Sequence, residues 1–198
     1  MTFTRIPGPQ QTLDDLKWLH PEIFRSLEYG VLKAKEYFEV ESMEKEQSIF
    51  SAIVRLHARA YLRNRGIDTM DVERITLCGL SLRVPQYAIK IWKTEDEDLP
   101  TPGSSGPKQE FYYQPSLFSD GLEIAELNLA VLWNLDSLNN LAALWLVCPK
   151  YGDEKSAEAH WTIRIPDPVL GLSAPARSDN PPDLPMTPIS EPATGTDG

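Results

Sequence analysis

Cysteine, basic residues and long apolar runs are scarce in this sequence of 198 residues. The two cysteines, Cys78 and Cys148, form no CxxC pair, so the sequence predicts buried thiols and no zinc site. No apolar run approaches the roughly 20 residues of a membrane-spanning helix, and the N-terminus lacks the basic and apolar segments of a signal peptide. We therefore expect a cytoplasmic protein that does not enter membranes.

Basic residues are outnumbered, since 19 lysines and arginines stand against 29 aspartates and glutamates, for a formal net charge of −10. Nucleic acids and anionic membranes are also negative, so both are disfavoured as general partners. Signatures of cofactor and catalytic sites are missing as well: GxGxxG, GxxxxGK, GxSxG and PD…(D/E)xK do not occur. The three histidines are isolated from one another. The sequence therefore predicts no cofactor and no metal site.

The patterns that are present divide the chain into three parts. Residues 1–11 are predicted to be a flexible arm, residues 12–166 a single domain, and residues 167–198 a disordered, acidic, proline-rich tail. Within the domain, helical patterns (about 12–66) precede strand patterns (about 74–166). This order favours an α+β fold in which an N-terminal helical pair covers one face of a mainly antiparallel sheet of five or six strands.

Two apolar stripes predict the helical pair. Before them, Thr12 is followed three residues later by Asp15, a spacing typical of a helix N-terminus. A helix that begins near Pro21 contains Gly30, which predicts a close crossing with another element. A second helix is expected from about residue 44 to residue 65. The buried stripe of the first helix is predicted to be Ile23, Leu27, Val31, Ala34 and Phe38, and that of the second Ile49, Phe50, Ile53, Leu56, Ala60 and Tyr61.

Residues 127–150 are the most apolar stretch and predict two long strands joined as a hairpin. With a four-residue loop, Asp136 lies opposite Leu141 and Trp133 lies opposite Leu144. Both faces of this hairpin are apolar, so we expect it in the middle of the sheet with a cover on each side. An earlier hairpin is predicted from strands 74–84 and 87–93 with a β-bulge at Gly79, and shorter strands at 110–114 and 160–165.

The second face of the central hairpin needs a cover that the helical pair does not supply. Three covers are open: the aromatic segment 94–118, a second copy of the protein, or a foreign partner. We favour the aromatic segment as a partial lid, with partner contact along its rim and Trp145 as the anchor. The candidate binding residues on this face are Leu132, Trp145, Val147, Phe111 and Tyr113; Tyr112 and Phe118 complete the aromatic segment.

Arg55, Arg59 and Arg63 are spaced by four residues and form a basic ridge on the second helix. The ridge fits a phosphate group or an acidic partner, and it is the one place where a nucleic acid is expected to bind. A solvated helix face explains the same spacing. His57 lies on the shoulder of this helix, where it fits either a general base or a hydrogen-bonded histidine at the edge of the core.

The leading functional hypothesis is a non-catalytic binding or regulatory protein that acts through a protein partner or through self-association. The setting we expect is a small component of a bacterial toxin–antitoxin or defence system. The alternative is a hydrolase or nuclease-like enzyme. Its site would combine Arg55, His57 and Arg59 with an acid, Glu126 or Asp136. Of the two hypotheses, the non-catalytic one is favoured.

Overall fold

A computed structural model describes residues 6–40, 46–74, 79–113 and 126–167 of the chain. These residues form four helices and six strands. The helices are α1 (Pro9–Asp15), α2 (His20–Val40), α3 (Gln47–Asn64) and α4 (Gly106–Tyr112), and the strands are β1 (Asp71–Arg74), β2 (Leu80–Val84), β3 (Tyr87–Lys93), β4 (Leu127–Leu135), β5 (Leu141–Gly152) and β6 (Ala157–Arg164). Phe118, Cys78 and residues 168–198 of the predicted tail lie outside the described residues.

The six strands form one sheet in chain order from β1 to β6. Neighbouring strands are antiparallel except β3 and β4, which run parallel. A parallel pair requires a long crossover connection, and the connection between β3 and β4 contains α4. The predicted α+β class is confirmed, because helices pack on a mostly antiparallel sheet.

The central hairpin, β4 and β5, has the predicted pairing away from its turn. Near the turn the register shifts, so that Leu135 rather than Asp136 lies opposite Leu141. Asp136 instead closes the turn, since its Oδ1 accepts hydrogen bonds from the backbone N–H groups of Leu138 and Asn140, each at 2.8 Å. The predicted four-residue loop is therefore wrong, because an aspartate that bonds the backbone two residues ahead favours the turn over the strand.

The earlier hairpin is correctly predicted around Pro85 and Gln86, where β2 and β3 pair. The predicted strand 74–84, however, is divided, since β1 and β2 are two separate antiparallel strands. Gly79 lies in the connection between them rather than in a bulged strand. A reversal of the chain, rather than a bulge, explains why the apolar alternation changes phase at this glycine. Residues 75–78 of the connection lie outside the described residues.

Helices α2 and α3 pack against each other and on the sheet face that carries Val131 and Trp133. Gly30 marks their closest approach, because a Cβ at this position would overlap the backbone carbonyl of Val54. The predicted close crossing is confirmed, and the apolar stripe of α2 is buried as predicted. At the other end of the pair, the Arg65 guanidinium bonds the carboxylate of Glu22 at 2.9 Å.

Helix α3 buries a different stripe from the one that the sequence predicts. Of the predicted stripe, only Phe50 is fully buried; Ile49 and Leu56 are exposed, at 37% and 43%. The close crossing places Val54 against Gly30, and this contact fixes the rotation of α3 about its axis. Two apolar stripes share the helix, and periodicity alone does not decide which one is buried. The buried stripe is Phe50, Val54, Ala58 and Leu62.

Helix α4 packs on the second face of the sheet, against β3 and β5. Phe111 and Tyr112 are buried, and their rings pack on the ring of Trp92 at centroid distances of 5.4 and 5.7 Å. The predicted strand at 110–114 is wrong, because this part of the chain up to Tyr112 is helical. The crossover between the parallel strands brings the segment over the sheet face, where a short helix satisfies its own backbone hydrogen bonds.

The N-terminal residues pack more closely than predicted. Helix α1 begins at Pro9, whose missing N–H suits a first helical turn. Thr12 therefore lies inside the helix and does not cap it; its hydroxyl donates to the Gly8 carbonyl at 3.1 Å. Pro7 is buried, and its carbonyl accepts a hydrogen bond from the indole N–H of Trp161 at 3.0 Å. Residues of the segment 6–11 thus contribute to the packing of the domain.

The described residues contain neither a membrane-spanning helix nor a metal-binding cluster of side chains. No helix among them is long and apolar enough to cross a membrane, and no group of three or more His, Cys, Asp or Glu side chains converges on a position for a metal ion. Cys148 is a buried thiol, as expected, and its burial raises the pKa of the thiol to about 12. This thiol is therefore protonated at neutral pH.

Burial of His20 at the start of α2 makes the stability depend on pH. The side chain is 7% exposed, and burial lowers its pKa from 6.5 to about 4. The folded protein keeps the imidazole neutral, whereas the unfolded chain takes up a proton below about pH 6.5. Neutral His20 therefore makes its full contribution to the free energy of unfolding above pH 6.5. The free energy of unfolding is expected to decrease by up to about 3 kcal/mol as the pH falls to 4.

Urea denaturation at a series of pH values between 4 and 7 measures this effect. The variant His20→Gln has no titrating group at this position, so its free energy of unfolding should change less over the same range. His160→Gln, at an exposed position on β6, serves as the control and should keep most of the wild-type dependence. An identical pH dependence in the wild type and in His20→Gln would contradict the prediction.

Candidate functional site

The basic ridge is partly used within the fold. The guanidinium of Arg63 donates to the backbone carbonyl of Val72 at 3.2 Å, next to the first strand of the sheet. Arg65, at the end of the same helix, pairs with Glu22. Arg55 and Arg59 are half-buried along α3. The C-terminal end of the ridge therefore supports the edge of the sheet. Nothing in these contacts selects a phosphate or an acidic partner.

His57 faces α2 and not the sheet. Its ring contacts the ring of Tyr29 edge to face, with centroids 6.2 Å apart. Burial lowers the pKa of His57, and the positive charge of Lys33 lowers it further. Tyr29 also contacts Tyr61 at 5.6 Å. His57 thus belongs to an aromatic cluster between the two helices.

The two acids of the enzyme hypothesis lie at opposite ends of β4. Glu126 precedes the strand and pairs with Arg83 at 2.8 Å, whereas Asp136 follows it. A strand of nine residues separates them by roughly 30 Å. The carboxyl group of Asp136 has a lowered pKa because of hydrogen bonds from Asn140. The structure does not bring these acids together, and each already has a structural partner.

The candidate binding residues on the second face lie on α4, on the residue after it and on the central hairpin. Leu132 and Val147 are fully buried, and Phe111 is nearly so. Trp145 is half-buried and packs on the same small cluster. Tyr113 is 50% exposed and contacts Tyr151 edge to face at 5.6 Å. Most of this face is thus interior, and its exposed part is limited to the rim near Tyr113.

An exposed apolar stripe runs along the outside of α3. This outer stripe consists of Ile49, Ile53, Leu56 and Ala60, whose spacing places them on one face of the helix. Ile49 and Leu56 are exposed, whereas Ile53 and Ala60 are half-buried. The stripe extends over about 16 Å, or three helical turns. Ile49 and Leu56 thus face solvent, whereas Ile53 also packs against the main core.

The C-terminal turns of α2 also carry exposed apolar side chains. Phe38 and Phe50 contact each other with ring centroids 6.0 Å apart, which places the C-terminal turns of α2 beside the N-terminal turns of α3. There Tyr37 is 43% exposed and Val40 is 80% exposed. Lys33, one turn earlier, pairs with Glu36 at 2.7 Å. These turns therefore present apolar side chains near a charged pair, a mixture that is also found in protein–protein interfaces.

Sequence reasoning found these residues but assigned them to the core. The signal that identifies them as surface is the presence of two complete apolar stripes on one helix, since one sheet face can bury only one of them. Comparisons with known proteins add nothing to this assignment: no protein-family model, no curated protein and no solved structure matches the chain. Any function must therefore be inferred from the geometry.

Proposed function

We propose that this protein is a non-catalytic binding protein that holds a partner protein on the outer stripe of α3. The observation that supports the proposal is the exposure of Ile49 and Leu56, at 37% and 43%, on a stripe of helical spacing. Monomeric soluble proteins seldom expose a contiguous apolar patch larger than roughly a few hundred Å², and patches above that size mark sites of association. The bacterial toxin–antitoxin or defence setting stays a prediction from the sequence.

The shape of the stripe favours an amphipathic helix as the segment of the partner that binds. Three turns of exposed apolar side chains provide the grooves into which residues of a second helix pack at three- and four-residue intervals. Tyr37 and Val40 are further exposed apolar side chains, on the C-terminal turns of α2. The centre of the interface would be Leu56, with Ile53 beneath it.

Site-specific photo-crosslinking in the native host tests this proposal. A crosslinking amino acid at position 56 is expected to yield one discrete product with another protein. The same amino acid at position 138 is the control, because Leu138 is an equally apolar side chain, 72% exposed, in the turn between β4 and β5. The variant Ile49→Asp should reduce the product from position 56 by about tenfold, since a buried interface residue contributes more than about 1 kcal/mol.

Two results would overturn the proposal. Equal products from positions 56 and 138 would show that the stripe has no selectivity. A product that contains only a second copy of this chain, together with a dimer in light scattering of the purified protein, would assign the stripe to self-association. Circular dichroism of Ile49→Asp establishes that the variant keeps its fold.

A further inference from the structure

A cleft of about 340 Å³ opens at the end of the sheet opposite to the β4–β5 turn. Three separate parts of the chain form it: the end of α1 with the link to α2, the loop between α3 and β1, and the turn between β2 and β3. Its lining residues are Asp15, Leu16, Trp18, Thr69, Val84, Pro85, Gln86 and Tyr87. The cleft shares no residue with the outer stripe, so it is a separate site.

The carboxylate of Asp15 is held in a fixed orientation at this cleft. The Tyr87 hydroxyl donates to its Oδ2 at 2.9 Å, and Tyr87 is 2% exposed. Burial raises the pKa of Tyr87, and the bond to Asp15 raises it further, so the phenol remains a donor. Among the described residues, no lysine or arginine forms an ion pair with Asp15. One carboxylate, oriented by a buried tyrosine, thus lines the cleft without a cationic partner from the described chain.

An aromatic surface and a rigid turn complete the cleft. Trp18 is 40% exposed although it is one of the largest side chains in the protein. Gln86 has a φ of 71°, a conformation that is uncommon for residues other than glycine. Its carbonyl accepts a hydrogen bond from the N–H of Leu127 at 2.7 Å. This bond secures the turn to the start of β4, so the wall of the cleft is well defined.

We propose that this cleft binds a basic side chain, arginine or lysine, of a partner protein or peptide. The carboxylate of Asp15 supplies the opposite charge, and the indole of Trp18 supplies an aromatic face on which a guanidinium or ammonium group is attracted. The net charge of −10 draws such a partner toward the surface. The cleft therefore selects for positive charge, whereas the outer stripe selects for apolar side chains.

A titration of the purified, isotopically labelled protein with acetyl-arginine amide, followed by NMR, tests the proposal. The indole N–H of Trp18 and the amides of Gln86 and Tyr87 are expected to shift and to saturate. Acetyl-citrulline amide has nearly the same shape without the charge, and we expect it to bind at least about tenfold more weakly, because hydrogen bonds to charged groups are the stronger ones.

Two variants assign the effect to Asp15. Asp15→Asn removes the charge but keeps an acceptor for the Tyr87 hydroxyl, and it should weaken arginine amide binding about tenfold. Asp14→Asn is the matched control: Asp14 is the neighbouring exposed acid, bonded to Gln10 at 3.1 Å, and its loss should change binding by less than about twofold. Trp18→Leu, at an exposed position, should also weaken binding, and thermal melting shows that each variant is folded.

Three results would overturn the proposal. Equal binding of the citrulline and arginine amides would show that charge is not recognised. Equal losses of affinity in Asp14→Asn and Asp15→Asn would show that the acidic surface attracts the ligand as a whole and that Asp15 has no specific role. Shifts that do not saturate, or that do not involve Trp18, would show that the cleft is not the site. None of these results bears on the crosslinking test of the outer stripe, so the two proposals can fail separately.

Discussion

Gly30→Ala is expected to lower the free energy of unfolding by about 2 kcal/mol, although alanine is the better helix former. The propensity gain is about 1 kcal/mol. Against it, the new Cβ would overlap the backbone carbonyl of Val54, and a helix backbone cannot rotate away as a flexible side chain can. Overpacking in a core costs about 1–3 kcal/mol and sometimes more, and a backbone clash lies at the upper end.

The melting temperature should consequently fall by about 4–8 °C, as is typical of a chain of this size. Gly106→Ala is the matched control, because Gly106 is the first residue of α4 and a Cβ at this position would meet no atom within 4 Å. That variant should be neutral or slightly more stable. A Gly30→Ala protein as stable as the wild type would mean that α2 and α3 separate at little cost, and that the crossing does not set the rotation of α3.

Tyr112→Ala is expected to cost about 3 kcal/mol and to expose the second face of the sheet. The ring is 1% exposed, it stacks on Trp92 with planes 18° apart, and its hydroxyl donates to the carbonyl of Pro100. Gly152 has no room for a Cβ because the Tyr112 ring lies against it. Truncation of a buried aromatic residue to alanine typically costs about 3–5 kcal/mol.

Urea denaturation and light scattering measure the two parts of this prediction. Tyr113→Ala is the control, since Tyr113 is the next residue and is 50% exposed; it should cost less than about 1 kcal/mol. If α4 shields Trp92 on this face from water, Tyr112→Ala should also self-associate as its concentration rises. Equal stabilities of the two variants would contradict the role of α4 as a cover.

Local sequence patterns were sufficient to predict a helix or a strand wherever a single hydrophobic periodicity dominated. The stripe of α2 could be predicted because its apolar residues recur on a single face of the helix. Gly30 stood out because glycine weakens the interior of a helix, which suggested that another element passes close to it. The pairing of β4 with β5 followed from their length and from the turn between them. Asp136 was misplaced by one position, because its side chain competes for the same backbone that a strand partner would use.

The candidate sites were less predictable, because they depend on which elements meet. The outer stripe was identified as apolar, but its exposure depends on the rotation of α3, which the contact between Gly30 and Val54 decides. The cleft joins Asp15 and Trp18 to Gln86 and Tyr87, two segments about 70 residues apart. No local spacing connects such segments, so no motif in the sequence could have indicated the cleft.

The sequence by itself determined the fold class, the helix that carries Gly30, the apolar strands of the central hairpin and the acidic character of the chain. These depend on composition and on short-range periodicity, which a chain carries before it folds. Only the tertiary structure decided that α4 is a helix over the second face, that Ile49 and Leu56 face water, and that the Tyr87 hydroxyl orients Asp15. Each of these follows from packing between residues that are distant in sequence, where the choice among apolar faces depends on steric fit and not on pattern.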